Sequence, residues 1–154
     1  DGPDRQAGAA RRPRGRLPAG LRPWGRGQSI DGYLAECRAS DKYPRGSWLV
    51  VELGGRVLSA LIAYRGAFGL PPGAWGLGSL CTEPAVRRLG LAKALLRVVL
   101  EREPGTAFLW ADAIPEFYAR RGFTPLPDAH QTRPGWVLMA RGAYDETAIM
   151  LEYF

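Results

Sequence analysis

Arg87-Arg88-Leu89-Gly90-Leu91-Ala92 stands between a strand-like run, Trp75 to Cys81, and a helix-like run, Leu91 to Leu100. The upstream run is mostly apolar and is entered through the turn-formers Pro71-Pro72-Gly73. Downstream, Leu91-Ala92-Lys93-Ala94-Leu95-Leu96-Arg97-Val98-Val99-Leu100 reads as a helix buried over much of its circumference. A glycine followed two residues later by alanine lets a strand-to-helix turn bring its backbone close to a ligand. The first N–H groups of such a helix have no internal partner, so they favour an anion, most naturally a phosphate. Taken alone, the hexapeptide fits a nucleotide phosphate as well as any other.

Outward from it, Pro104-Gly105 ends the helix, and Ala107-Phe108-Leu109-Trp110-Ala111 is a short, wholly apolar strand. A strand–helix–strand unit of this length demands a parallel pair. Asp112 resembles an N-cap for the next helix, with Pro115 in its first turn. Gly122 fits the left-handed position after that helix, and Phe123 the apolar contact behind it. Gly135 to Arg141 is a further strand. Upstream, Ser47–Leu53 and Arg56–Tyr64 are β-rich runs around Gly54-Gly55, a strong two-residue hairpin signal. Leu21 to Trp24 reads as a short strand and Ser29 to Cys37 as an amphipathic helix. Tyr144 to Phe154 is apolar enough to be packed, as helix or as strand.

Composition bounds the class. The 154 residues, 46% of them hydrophobic, suffice for one domain with a real core, expected over 21–154. The net charge of +6 is localised: residues 1–27 hold seven Arg against Asp1 and Asp4, which leaves +1 for the remainder. Residues 1–20 are Arg-, Gly- and Pro-rich with almost no large apolar side chain, so a disordered tail is expected there. Cys37 and Cys81 are far apart, and His130 is the single histidine, so neither a disulfide framework nor a metal site is expected. No apolar run approaches the roughly 18 residues of a membrane span. These features point to a cytoplasmic protein with reduced thiols and no membrane partner.

The order of elements resembles the GNAT family of N-acetyltransferases. Arg87 to Ala92 matches that family's motif Gln/Arg-x-x-Gly-x-Gly/Ala at every defined position. Phe117-Tyr118-Ala119-Arg120-Arg121-Gly122-Phe123, about 25 residues on, matches its second hallmark. The resemblance covers roughly residues 45–141. It implies an α/β (α+β) fold: a mixed, mostly antiparallel sheet with a splayed central parallel pair, flanked by helices. It implies acetyl-CoA as cosubstrate, no metal, and transfer to a primary amine by direct attack in a ternary complex.

Site roles follow from the same resemblance. Arg87, Arg88, Leu89, Gly90, Leu91, Ala92 and Lys93 would hold the pyrophosphate and outer phosphates. Leu80, Cys81 and Thr82, at the end of the strand before the motif, would lie along the pantetheine. Gly76 and Gly78 fit a strand that bulges or lets a ligand pass closely. Tyr118 matches the family's tyrosine that contacts the coenzyme and protonates the leaving thiolate. Candidates for the general base are Glu83, Glu52 and Asp112. Glu83 lies at the end of the central strand beside Pro84, where its side chain would face either the thioester or solvent. His130 lies in a polar, Pro-rich loop that could border the acceptor site, although a lone loop histidine is usually just exposed. Cys81 is expected in the core rather than as a nucleophile.

The acceptor has no translatable motif. A small molecule or a peptide amine fits the fold; an RNA-linked amine is the reading the Arg-rich tail would favour, although nucleic acid is not expected. A non-catalytic coenzyme-binding domain is the rival outside enzymes. The short segment before Ser47 is compatible with an open cleft, a truncated start, or completion by a second subunit in a homodimer.

Overall fold

The computed structural model describes residues 40–112 and 114–154. The expected tail, the strand at Leu21–Trp24 and the helix at Ser29–Cys37 lie outside the described residues. Six strands, β1 (Gly46–Leu53), β2 (Arg56–Tyr64), β3 (Trp75–Thr82), β4 (Ala107–Ala111), β5 (Thr124–Pro125) and β6 (Val137–Arg141), form one sheet. Their hydrogen-bonded order is β1-β2-β3-β4-β6-β5. The α-helices are α1 (Leu91–Arg102) and α2 (Pro115–Ala119). The β3–β4 pair is parallel, while β4–β6 and β5–β6 are antiparallel. This is the mixed architecture that the sequence implied.

The chain divides into two compact units, one running through Ala63 and taking up Ser79–Arg102, the other Tyr64–Gly78 with Glu103–Phe154. In the first, Gly54 and Gly55 turn the β1–β2 hairpin with φ of 57° and 77°. Positive φ at both central residues is the twist that a two-residue hairpin needs. Trp48 and Leu49 of β1, Ala60 to Ile62 of β2, and Leu95, Leu96 and Val99 of α1 are buried. The three helix positions fall on one stripe. Burying each such side chain contributes about 1.5–3 kcal/mol, against propensity differences below about 0.7 kcal/mol per residue. Packing therefore holds α1 more than propensity does.

In the second unit every residue of β4 is buried, the mark of a strand covered on both faces. Its parallel ladder to β3 consists of Trp75 with Ala107, Gly76 with Phe108 and Leu77 with Leu109. Gly76 admits no ligand here. A Cβ at this position would lie 2.7 Å from Cε2 of Phe154, whose ring fills the space that glycine leaves. That ring meets Tyr64 and Phe68 at centroid distances of 5.8 and 5.9 Å. The segment from Tyr144 is packed only in part, since Met150 is 83% exposed, and it is neither helix nor strand apart from one short turn. A 3-10 turn at Glu146–Ala148 leads into irregular chain with Ile149 and Phe154 buried. The backbone of Glu152 anchors it, donating to the Phe68 carbonyl at 2.9 Å and accepting from Trp110 Nε1 at 3.2 Å.

Candidate active site

The left-handed residue of β3 is Ser79, at φ 50°, rather than Gly76 or Gly78. A non-glycine residue in this region costs of order 1 kcal/mol or more. Beyond Ser79, Leu80 and Thr82 are half-buried and Cys81 is buried. Ser59 of β2, fully buried, donates through Oγ to the Cys81 carbonyl at 2.9 Å and shares a 3.0 Å hydrogen bond with Thr82 Oγ1. Sequence reasoning passed over Ser59. Its signal was a lone hydroxyl inside the apolar run Val57 to Tyr64.

Glu83 corrects one alternative left open by the sequence: it does not point to solvent. It is only 6% exposed, and its N–H donates to the Leu58 carbonyl at 2.8 Å. Ser59 and Glu83 are the buried polar side chains among the described residues. Of the other base candidates, Glu52 is exposed on β1 and Asp112 is exposed after β4.

A 3-10 turn, Pro84–Val86, carries the chain into the motif. Arg87, Arg88, Leu89, Gly90 and Lys93 are exposed, Leu91 and Ala92 half-buried. Two residues of this turn are left-handed, Arg88 at φ 66° and Gly90 at φ 78°. A Cβ on Gly90 would meet no protein atom within 4 Å, so the space beside the backbone is open. The first hydrogen bond of α1 runs from the Ala94 N–H to the Gly90 carbonyl at 2.9 Å. The N–H groups ahead of Ala94 are the ones an anion would meet. Arg87 is turned back toward the end of β3, its Nε donating to the Thr82 carbonyl at 3.4 Å.

In the other unit, Tyr118 lies in α2, whose first turn holds Pro115 as expected. Asp112 does not cap this helix; Ile114 is the N-cap residue, without a side-chain hydrogen bond. The negative charge of Asp112 acts on Tyr118 instead. Burial, and secondarily that charge, push the phenol up to about 12. The helix closes as the sequence indicated, with Gly122 left-handed at φ 87°. The Phe123 N–H reaches back to the Tyr118 carbonyl at 3.2 Å, and the Gly122 N–H to that of Ala119 at 3.2 Å. These are the two bonds of a Schellman closure. Its apolar contact is also made: the Phe123 ring meets the Tyr118 ring edge-on at 6.1 Å. Glycine and phenylalanine thus hold the phenol in place.

His130 is not simply exposed. It ends a 3-10 turn, Asp128–His130, and its half-buried ring sits 3.6 Å from a carboxylate oxygen of Glu146. Among the described residues no group of three or more His, Cys, Asp or Glu is placed to hold a metal ion, and no helix is long and apolar enough to cross a membrane.

Comparison with known proteins bears on the family and the fold. No curated protein sequence matches the chain. Among solved structures, PH1933 from Pyrococcus horikoshii OT3 superposes with a TM-score of 0.60 at 15% identity, covering 82% of this chain and 85% of that one. ElaA from Escherichia coli gives 0.56 at 17% identity, covering 73% and 82%. A GNAT family acetyltransferase from Elizabethkingia anophelis, solved with acetyl-CoA bound, gives 0.53 at 11%, covering 67% and 80%. At these identities the likeness is one of fold. Residues 44–125, more than half of the chain, match the family model for an acetyltransferase (GNAT) domain. With the motif turn and the Tyr118 helix end in their expected forms, the chain belongs to the GNAT family of acyltransferases.

Proposed function

We propose that the protein transfers an acetyl group from acetyl-CoA to a primary amine by direct attack in a ternary complex. The observation that carries this reading is the open turn from Arg87 into α1. Its two left-handed residues and empty surroundings suit a pyrophosphate that binds to backbone N–H groups. The Elizabethkingia relative, which holds acetyl-CoA, supports the choice of donor. The donor supplies an activated thioester; this chain's residues bind it and manage protons. Arg88 and Lys93, exposed beside the turn, are the cations for its outer phosphates.

Tyr118 keeps its proton at any physiological pH, because its phenol is held up near 12. A thiol's ordinary value is near 8.5, so complete transfer from this phenol to a free thiolate would be uphill by about 5 kcal/mol. Tyr118 therefore acts first as a hydrogen-bond donor to the sulfur as negative charge develops, and it delivers the proton only while the C–S bond is breaking. Glu83, the buried carboxylate, is the base that receives the ammonium proton, directly or through water.

The test is incubation with acetyl-CoA and a pooled amine library, with products identified by mass spectrometry. Tyr118→Phe should leave acetyl-CoA binding intact and lower turnover roughly ten- to a thousand-fold. An unchanged rate would remove Tyr118 from the mechanism. Absence of any acetylated product, with acetyl-CoA bound, would leave a coenzyme-binding domain in place of an enzyme.

A further inference from the structure

The second unit contains a cation held on aromatic rings for which donor binding and proton transfer have no use. Arg133-Pro134-Gly135-Trp136 forms a tight turn: the Trp136 N–H donates to the Arg133 carbonyl at 3.1 Å, and Gly135 is at φ 79°. Proline followed by a left-handed glycine is the signature of a type II turn. The turn folds Arg133 over the Trp136 ring, 5.3 Å from its centroid, and places the guanidinium 3.8 Å from the centroid of Tyr153. Tyr153 meets Trp136 edge-on at 5.1 Å and Trp110 at 6.2 Å.

Both sides of this cluster are pinned. Gln131 accepts from the Leu138 N–H at 2.8 Å and donates to the carbonyls of Leu126 and Leu138 at 2.9 and 3.0 Å. The Glu152 backbone, next to Tyr153, is fixed on Trp110 and Phe68. The position of the cluster follows from strand register. Trp110 pairs with Leu138, and Ala111 with Val137. Alternation puts Trp110 and Asp112 on one face, and continuing the antiparallel register sets Trp136 across from Asp112. Asp112 is the carboxylate whose charge reaches Tyr118. The cluster therefore sits beside Asp112 at the end of β4, the carboxylate whose charge reaches the proposed proton donor.

Contact with the two rings holds the guanidinium without using any of its N–H groups. Among the described residues, no acceptor takes a hydrogen bond from the exposed Arg133 side chain, so its fork is available to a ligand. A cationic ligand is disfavoured on this side, because Arg133 already covers one face of each ring and would repel it. A planar or tetrahedral oxyanion suits the fork. Resting on the acyl-transfer reading above, we infer that Arg133 determines acceptor specificity: the acceptor amine carries an oxyanion, carboxylate or phosphate, received by the guanidinium on Tyr153 and Trp136.

The experiment compares acetylation of free amino acids, their primary amides and aminoalkyl phosphates by wild type, Arg133→Gln and Arg133→Lys. Wild type should favour an anionic acceptor over its neutral partner by about ten- to a hundred-fold in kcat/KM, mainly through KM. The carboxylate and phosphate arms identify which oxyanion. In Arg133→Gln the ratio should fall toward unity, and Arg133→Lys should retain part of it. Equal use of neutral and anionic amines by wild type, or an undiminished ratio in Arg133→Gln, overturns the inference. Calorimetric binding of N-acetylated amino acids and their amides, with coenzyme A present, separates the two readings. Arg133-dependent carboxylate binding without turnover would sink acyl transfer and keep the anion site. Turnover with no Arg133-dependent binding would do the reverse.

Discussion

Two glycine turns carry the family pattern in this chain, and their surroundings are opposite. At Gly90, φ 78°, an added Cβ would touch nothing, and neighbouring Leu89 is 72% exposed. At Gly122, φ 87°, it would lie 3.3 Å from Arg141 Nε, and neighbouring Phe123 is 1% exposed. Both positions demand the same backbone conformation, which L side chains avoid. At the first, the conformation leaves amides open toward solvent, where an anion can reach them. At the second, it closes a helix so that an aromatic ring can support a phenol. A glycine in a motif therefore signals a backbone shape, and its surroundings decide whether the shape serves a ligand or a side chain.

The closed turn is the more consequential to break, because its product is a half-buried phenol. Tyr118 has a pKa of about 12 in the folded protein against about 10 when unfolded. Between those values the folded chain keeps a proton that the unfolded chain releases. Stability from this group is therefore complete below about pH 10 and is lost as pH rises through about 12. The loss is about 2 kcal/mol, allowing for the partial exposure of the ring. Denaturant unfolding from pH 9 to 12 should show a decline in wild type that Tyr118→Phe lacks. In ultraviolet titration, the phenolate signal removed by the substitution should be centred near 12. A signal centred near 10 would mean a solvated phenol, and the contrast between the two turns would lose its closed half.

What the sequence made legible was whatever is decided within a few residues. The Gly54-Gly55 hairpin, the limits of β4, the Pro104 stop to α1 and the Gly122 closure all depend on local dihedral preferences and alternation. β5 escaped notice because two residues, one of them proline, carry no periodic signal; only β6 beside them makes a strand. Gly76 was misread because its occupant, Phe154, comes from the far end of the chain. Asp112 looked like a cap because aspartate before a helix usually is one, yet the chain turns at Ile114 instead. The burial of Glu83 depends on pairing with Leu58, which composition does not reveal. In the candidate site, the turn proposed for phosphate and the phenol were readable from motifs. The Arg133–Trp136 turn was spelled out by Pro-Gly, but Tyr153 reaches it only through tertiary packing.

Alanine at each glycine separates the two turns directly. Gly122→Ala forces a left-handed alanine, costing about 1 kcal/mol or slightly more, and also crowds Arg141. It should lower Tm by several degrees and reduce turnover through a displaced Tyr118, with acetyl-CoA affinity little changed. Gly90→Ala carries the same backbone cost and no crowding, so its effect on Tm should be the smaller. Its main effect should appear in binding, because any relaxation of φ at residue 90 re-aims the amides that begin α1. Calorimetric titration with acetyl-CoA should show Kd raised several-fold in Gly90→Ala, with turnover at saturation near wild type. Equal Tm losses with no change in Kd would mean that Gly90 serves only to start the helix, and the open turn would no longer be the donor site.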